Sequence, residues 1–371
     1  MVVERAAGAR SSQPGQDQEI RFCVGHDGAR LAWAVHGSGP QLIVVSCWLS
    51  HLQHDWRSPV WRHFLEDLGA FSTLVRYDER GFGMSDWTVT DFSLEARYAD
   101  LEAIVRATGF ERFALLGMSG GAPVAMAYAA RHPERVSRLI LYGGGSGRPR
   151  RFAGDALAEE ETFQSMIRVG WAKEDPLFRR VFTRIFIPDA DEAQMRWFDD
   201  LQRMSTSPAN ALASRAGRNA VDVAGELPSI AMPTLILHAL RDHTTSFDDA
   251  VEVAGRIPDA RLVELDSANH ILLEDEPAWT VFVDEVRAFL EPDRWSSDAR
   301  RPLLTEAFSP RELDVLREVA RGSTNDEVAL ELGLSPRTVE RHLSNAYMKL
   351  GVTGKAARAA AVAEVIRRGL A

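Results

Sequence analysis

Three residues far apart in the chain carry the groups needed to break an acyl bond. Ser119 sits in Gly117-Met118-Ser119-Gly120-Gly121, Asp242 in Ala239-Leu240-Arg241-Asp242-His243, and His270 in Ser267-Ala268-Asn269-His270. A serine hydroxyl is a weak nucleophile until a base takes its proton, and an imidazole does so best when a carboxylate orients it. The order serine, acid, histidine is the one expected where the serine occupies a strand–turn–helix elbow. Flanking glycines let the chain turn sharply, hold Ser119 at strained dihedrals, and turn the amide of Met118 or Gly120 towards a bound substrate. His243 is a competing base, but adjacency to Asp242 prevents it from also being oriented by that carboxylate; it reads as a solvated or capping histidine.

The elements that must position these groups are legible as alternating apolar runs and helical patterns. Strands are expected at 30–36, 41–47, 73–78, 113–117, 138–142, 233–240 and 261–266. Several are continuous Val/Ile/Leu runs, as suits strands covered on both faces. Helices are expected between them, at 93–108, 122–131 and 278–290 among others. The sum is an α/β domain with a mostly parallel sheet, whose C-terminal strand ends would present Ser119, Asp242 and His270. From 147 to 231 the alternation lapses into a stretch rich in Phe, Trp and Met, read either as helical core or as a helical cap over a pocket. Pro292-Asp-Arg-Trp-Ser-Ser-Asp-Ala-Arg-Arg-Pro302 marks a linker.

Composition narrows the class. The 371 residues are 45% hydrophobic and 26% charged, ordinary globular material, and no apolar run nears the roughly 20 residues that span a bilayer. Residues 1–19 lack the apolar centre of a signal peptide and read as a disordered arm. Only Cys23 and Cys47 occur, which implies no disulfide framework and suits a reducing cytoplasm; both read as buried small apolar residues. No cofactor and no metal are expected: His51 and His54 lie three apart without a supporting cluster, and the Gly143–Gly147 run lacks the Gly-Lys-Ser/Thr ending of a phosphate loop. That run reads as a flexible connection from strand to cap. The net charge is −10, unevenly spread: residues 301–371 hold 11 Lys+Arg against 9 Asp+Glu, the other 300 hold 32 against 44. Charge alone does not suggest DNA.

Residues 20–291 resemble the α/β-hydrolase fold, with Asp78-Glu79-Arg80-Gly81-Phe82-Gly83-Met84-Ser85 matching its strand-to-loop signature ahead of the elbow. The resemblance implies Ser119 as nucleophile, His270 as general base and Asp242 as its partner. It also implies two oxyanion donors, the amides of Trp48 and Gly120. The first comes from a loop that in the family usually carries His-Gly, whereas here it reads Ser46-Cys47-Trp48. Losing one such donor costs about a hundred- to thousand-fold in rate, so the departure is compatible with slow turnover or none. The tract around Trp48, Trp56 and Trp61 resembles a hydrolase-like subgroup often fused to a C-terminal output module.

The last 70 residues follow a different grammar. Ser309 with Pro310 and Glu312 forms a capping box; a second helix is expected over 325–332, stopped at Gly333; Ser335-Pro336 opens a third, running to about Leu350; a fourth is expected over 355–368. On the third, Val339, Leu343, Ala346 and Leu350 form a buried stripe. Arg337, Arg341, Asn345 and Lys349 recur every four on the other side, with Thr338 and His342 beside them, a face suited to a major groove. Residues 304–363 closely resemble the LuxR-type helix-turn-helix domain, through Ser309-Pro310-Arg311-Glu312, Asn325-Asp326-Glu327-Val328-Ala329, Leu334-Ser335-Pro336-Arg337-Thr338-Val339 and Lys349-Leu350-Gly351-Val352. Glu340 departs from it, standing where the family often has Lys or Arg. The resemblance implies binding to double-stranded DNA, usually as a homodimer, with the Ala-rich fourth helix a plausible contact.

The expected architecture is therefore an arm (1–19), a hydrolase-fold domain (20–291) with a cap at about 147–231, a linker (292–303) and a helix-turn-helix domain (304–371). The expected function is a cytoplasmic, ligand-responsive transcriptional regulator whose hydrolase-fold domain senses, and slowly hydrolyses, a small, mainly apolar molecule. The alternative is an active esterase, lactonase or C–C hydrolase with an appended regulatory domain.

Overall fold

The computed structural model describes residues 18–147, 155–291 and 309–349, with Arg358 and Val362. Eight strands form one sheet: β1 (Glu19–Val24), β2 (Arg30–His36), β3 (Gln41–Val45), β4 (Thr73–Tyr77), β5 (Phe113–Met118), β6 (Val136–Tyr142), β7 (Thr234–Ala239) and β8 (Ala260–Leu265). Their order across the sheet is β1-β2-β4-β3-β5-β6-β7-β8. The β1–β2 and β2–β4 pairs are antiparallel; the remaining pairs are parallel.

The apolar runs are buried on both faces because successive strand residues point opposite ways. Leu42 and Val44 of β3, Leu116 of β5 and Leu235 and Leu237 of β7 join the core under Arg62–Gly69 and Pro277–Leu290. Ile43 and Val45, Leu115 and Ile236 join the opposite core under Leu94–Thr108, Ala122–Arg131 and Phe247–Arg256. The sheet is thus the middle layer of three, and its parallel centre aims the C-terminal ends of β5, β7 and β8 the same way.

One boundary is corrected. The first strand begins at Glu19, inside the stretch expected to be an arm, and Gln18 is tied down by Arg76 Nη2 at 2.6 Å and by its own bond to the Leu52 carbonyl. As an edge strand, Glu-Ile-Arg-Phe-Cys-Val is mostly exposed, with only Ile20 and Cys23 half-buried, and offers no long apolar run to find. Its Cys23 is only half-buried; Cys47 is buried, as expected of both. No helix among the described residues is long and apolar enough to cross a membrane.

Among the described residues between β6 and β7 lie four α-helices, Asp155–Gly170, Arg179–Phe186, Glu192–Ser205 and Pro208–Asn219, and a 3₁₀ turn, Leu227–Ser229. The large apolar residues of this stretch divide: Trp171, Met195 and Phe198 are buried in the core, while Phe163, Phe182 and Phe186 reach a cavity. Phe152 lies outside the described residues. Buried Arg179 stitches the helices together by donating to the carbonyls of Asp199 (2.9 Å), Gly170 (3.1 Å) and Trp171 (2.8 Å).

The C-terminal helices are Pro310–Ala320, Asn325–Leu332 and Pro336–Lys349. Ser309 with Glu312, and Thr324 with Glu327, form reciprocal capping boxes, and Gly333 ends the second helix at φ +64°. Val339, Leu343 and Ala346 are buried against Val315, Leu316, Val319 and Val328. Leu350 lies outside the described residues, as do the linker and most of the expected fourth helix. Arg358 and Val362 are both helical: Arg358 donates to Asn325 Oδ1 at 2.7 Å, and Val362 packs on the small core.

Candidate active site

Ser119 follows β5 directly, begins a single 3₁₀ turn (Ser119–Gly121) and leads into the helix Ala122–Arg131. Its φ is +50°, and it is the only non-glycine residue with positive φ among those described. A conformation costing a non-glycine residue of order 1–3 kcal/mol persists only where the surroundings over-determine it. Here they do: the turn is pressed so hard against β3 that any Cβ on Gly121 would collide with the carbonyls of Val45 and Ser46.

Asp242 and His270 come from the loops after β7 and β8. His270 Nδ1 lies 2.6 Å from Asp242 Oδ2, and their side chains are 2% and 0% exposed. The other carboxylate oxygen accepts from the Thr244 amide (2.7 Å) and hydroxyl (2.5 Å). Burial pushes the Asp242 carboxyl up, but the His270 charge and hydrogen bond, with the Thr244 hydroxyl, outweigh it and hold the group at about 2. It is an anion at neutral pH, and with Nδ1 committed to it, Nε2 is the imidazole nitrogen left for a proton. The main chain of His270 is fixed as well: its amide donates to the Phe186 carbonyl at 2.8 Å and its carbonyl accepts from the Tyr142 hydroxyl at 2.8 Å.

Two glycines of the connection after β6 let its backbone pass close to all three residues. At Gly143 (φ +60°) an added Cβ would lie 3.2 Å from His270 Cε1 and 3.9 Å from Asp242 Oδ2; at Gly144 it would lie 2.7 Å from the Ser119 carbonyl. The glycine run just past the end of β6 is thus the local sign of close approach rather than of flexibility. Among the described residues no hydrogen bond joins the Ser119 hydroxyl to His270; such contacts often tighten only around substrate.

A cavity of about 640 Å³ opens over Ser119, and Trp48 and Gly120, the expected oxyanion residues, line it too. One part of the wall is aromatic: Trp48 packs on Trp171 (5.5 Å between rings) and on Phe182, with Phe163 and Phe186 beside them. Another part is cationic, carrying Arg97, Arg215 and Arg218. The mainly apolar lining expected from composition is thereby corrected to a two-sided one. Nothing local marks these arginines, because a charged residue on a helix ordinarily faces solvent. His243 is exposed at the rim, apart from the Asp242–His270 pair. His51 accepts the His54 amide at the start of Leu52–Asp55, and the His54 ring stacks on Trp197 at 4.5 Å.

On the helix Pro336–Lys349, Arg337 and Arg341 are exposed, and Thr338, His342 and Asn345 are half-buried; the Lys349 side chain lies outside the described residues. Ser335 Oγ receives the Thr338 amide at 3.1 Å, so the helix begins as its sequence requires. Glu340 is exposed on the same helix.

Residues 42–277 match the family model of the alpha/beta hydrolase fold, and residues 306–362 that of bacterial regulatory proteins of the luxR family. A 2-hydroxy-6-oxononadienedioate/2-hydroxy-6-oxononatrienedioate hydrolase of Pseudomonas putida is 26% identical over 71% of this chain and 88% of its own. A protein of Mycobacterium bovis named as an HTH-type transcriptional regulator is 28% identical over 73% of this chain and 30% of its own. The crystal structure of a hydrolase from Pseudomonas aeruginosa PA01 superimposes with a TM-score of 0.61 at 24% identity, covering 73% of this chain and 98% of that one. The chain belongs to the α/β-hydrolase fold family and ends in a DNA-binding domain of the luxR family.

Proposed function

We propose that this protein is a transcriptional regulator whose hydrolase-fold domain (20–291, capped by about 147–231) takes up a small molecule and slowly cleaves it. The reading rests above all on the left-handed Ser119 at the edge of a 640 Å³ cavity in a chain that also carries a DNA-binding domain. Ser119 Oγ attacks an acyl carbon while His270 Nε2 takes its proton. Asp242 holds the ring and balances the imidazolium, and the amides of Trp48 and Gly120 face the developing oxyanion. His270 then returns the proton to the leaving group, and water repeats the sequence on the acyl-enzyme. Ligand occupancy changes the affinity for double-stranded DNA, with Arg337, Thr338, Arg341, His342, Asn345 and Lys349 on the DNA-facing side, and the protein acts as a cytoplasmic homodimer.

The test is labelling of the full chain with a fluorophosphonate, with Ser119→Ala as control and mass spectrometry to place the adduct. Rapid adduct formation at Ser119 that slows in His270→Ala supports a live nucleophile. A folded protein that stays unlabelled is a receptor without chemistry.

A second reading, an active esterase, lactonase or C–C hydrolase with an appended regulatory domain, is favoured by the sealed Asp242–His270 pair and by the hydrolase named above. Turnover near 1 s⁻¹ or faster, typical of enzymes, would select it.

A further inference from the structure

The acyl-transfer scheme uses one part of the cavity wall and leaves the cationic part unexplained. Arg97, from Leu94–Thr108, and Arg218, from the last turn of the cap helix Pro208–Asn219, both donate through Nη1 to the carbonyl of Gly120, at 3.2 and 2.8 Å. Gly120 is the residue after Ser119, and both arginines are among the residues that line the cavity with it. Their common counter-ion is Glu79: Arg218 Nη2 donates to Oε2, and Arg97 Nε lies 3.6 Å from Oε1, beyond hydrogen-bond reach. One carboxylate therefore serves two guanidinium groups. Arg215, the third arginine of this wall, is already held in a two-pronged contact by Glu160.

Burial makes the shortage of negative charge costly. Arg97 is 2% exposed, yet its Nε and Nη2, like Nε of Arg218, have no hydrogen-bond partner among the described residues. Burial first, and then the neighbouring Arg218 charge, push the Arg97 guanidinium down to about 10. A buried cation left partly unpaired is strongly unfavourable unless something completes its shell. The carboxylates of the lining do not: Glu159 is exposed, and Asp249 packs beside Gly145.

We infer that Arg97 and Arg218 form a subsite for an anionic oxygen group of the ligand, a carboxylate or a phosphate. The inference rests on the reading of this cavity as the ligand site. A guanidinium fork accepts either group through parallel charge-assisted bonds, strengthened where water is excluded. The aromatic part of the wall takes the apolar body, so the ligand is amphipathic, with its charge near the bond that Ser119 attacks.

The test is calorimetric titration of the full chain with phenylacetate, phenyl phosphate and the neutral phenylacetamide. At least one anion should bind about tenfold more tightly than the amide, the scale of one charge-assisted bond; which anion does so names the group. In Arg97→Met the preference for the anion over the amide should shrink to about twofold; Arg218→Met replaces it if the first variant does not fold. Equal affinity for the three probes, no binding by any, or a preference that survives the variants would overturn the subsite. Labelling of Ser119 is read separately: an inert serine beneath an anion-selective cavity would sink the catalytic reading and leave this one standing.

Discussion

Oδ2 of Asp242 and Nδ1 of His270 meet at 2.6 Å across two loops that follow neighbouring strands, with both side chains closed off from solvent. Thr244 occupies the other carboxylate oxygen, so the acid has one free way to face and the ring has one tautomer that satisfies it.

Asp242→Asn keeps the shape and removes the charge, allowing the wrong tautomer. Fluorophosphonate labelling of Ser119 should slow by about 10³–10⁴-fold, with far-UV circular dichroism unchanged. Labelling at the wild-type rate would show that this pair does not serve the serine.

Gly143→Ala sets a Cβ 3.2 Å from His270 Cε1 on a backbone at φ +60°. The left-handed backbone alone should cost about 1–2 kcal/mol, read as a lower urea midpoint. Labelling should also fall, by about tenfold or more, because the ring must give way. A stability loss with unaltered labelling would restrict the glycine to the turn.

Acid acts on the fold in two directions: burial pushes the Asp55 and Asp100 carboxyls up to about 7 and about 6, so protonating them favours the folded state, whereas two buried histidines oppose it. Burial pushes both His36 and His63 down from 6.5 to about 4, against the raising effect of their bonds to the Leu65 and Leu272 carbonyls. The unfolded chain binds more protons between these values, so their contribution is complete above pH 6.5 and is lost as pH falls towards 4. At about 1.4 kcal/mol per pH unit for each group, the loss is on the order of a few kcal/mol. Urea midpoints at pH 7, 5.5 and 4.5 read the sum of both effects, and the difference between wild type and His63→Gln isolates the histidine share: the variant should lose less stability towards pH 4.5 than the wild type. An equal loss in that variant would assign the acid sensitivity elsewhere.

On the DNA side, Glu340→Lys should tighten binding to a random-sequence duplex and steepen its salt dependence by about one unit of log–log slope, the effect of roughly one added phosphate contact. Arg341→Ala should do the reverse, weakening binding by about 1–3 kcal/mol at fixed salt. Fluorescence anisotropy over a salt series reads both. Indifference to both changes would move the interface off this face.

What the sequence disclosed was local grammar. A strand, a tight glycine turn and a helix are written consecutively around Ser119, and caps and periodic apolar residues are written consecutively from Ser309 to Leu343. What it hid depends on distant segments meeting. Arg97 and Arg218 stand 121 residues apart, and nothing near either predicts that both will rest on the Gly120 carbonyl. Glu19–Val24 is hard to read because four of its six residues are exposed, and the aromatic residues between β6 and β7 divide into core and cavity wall only through the helix packing that separates Trp171 from Phe163.

Phe186, the last residue of its cap helix, takes the His270 amide on its carbonyl and sets its ring edge-on to the imidazole at 5.3 Å. The end of this helix and the imidazole are thus one mechanical part. Deleting these helices to open the cavity would remove the peg that seats the histidine as well as one wall of the space over the serine, so a version trimmed to the bare sheet should lose both the cavity and the set of the ring.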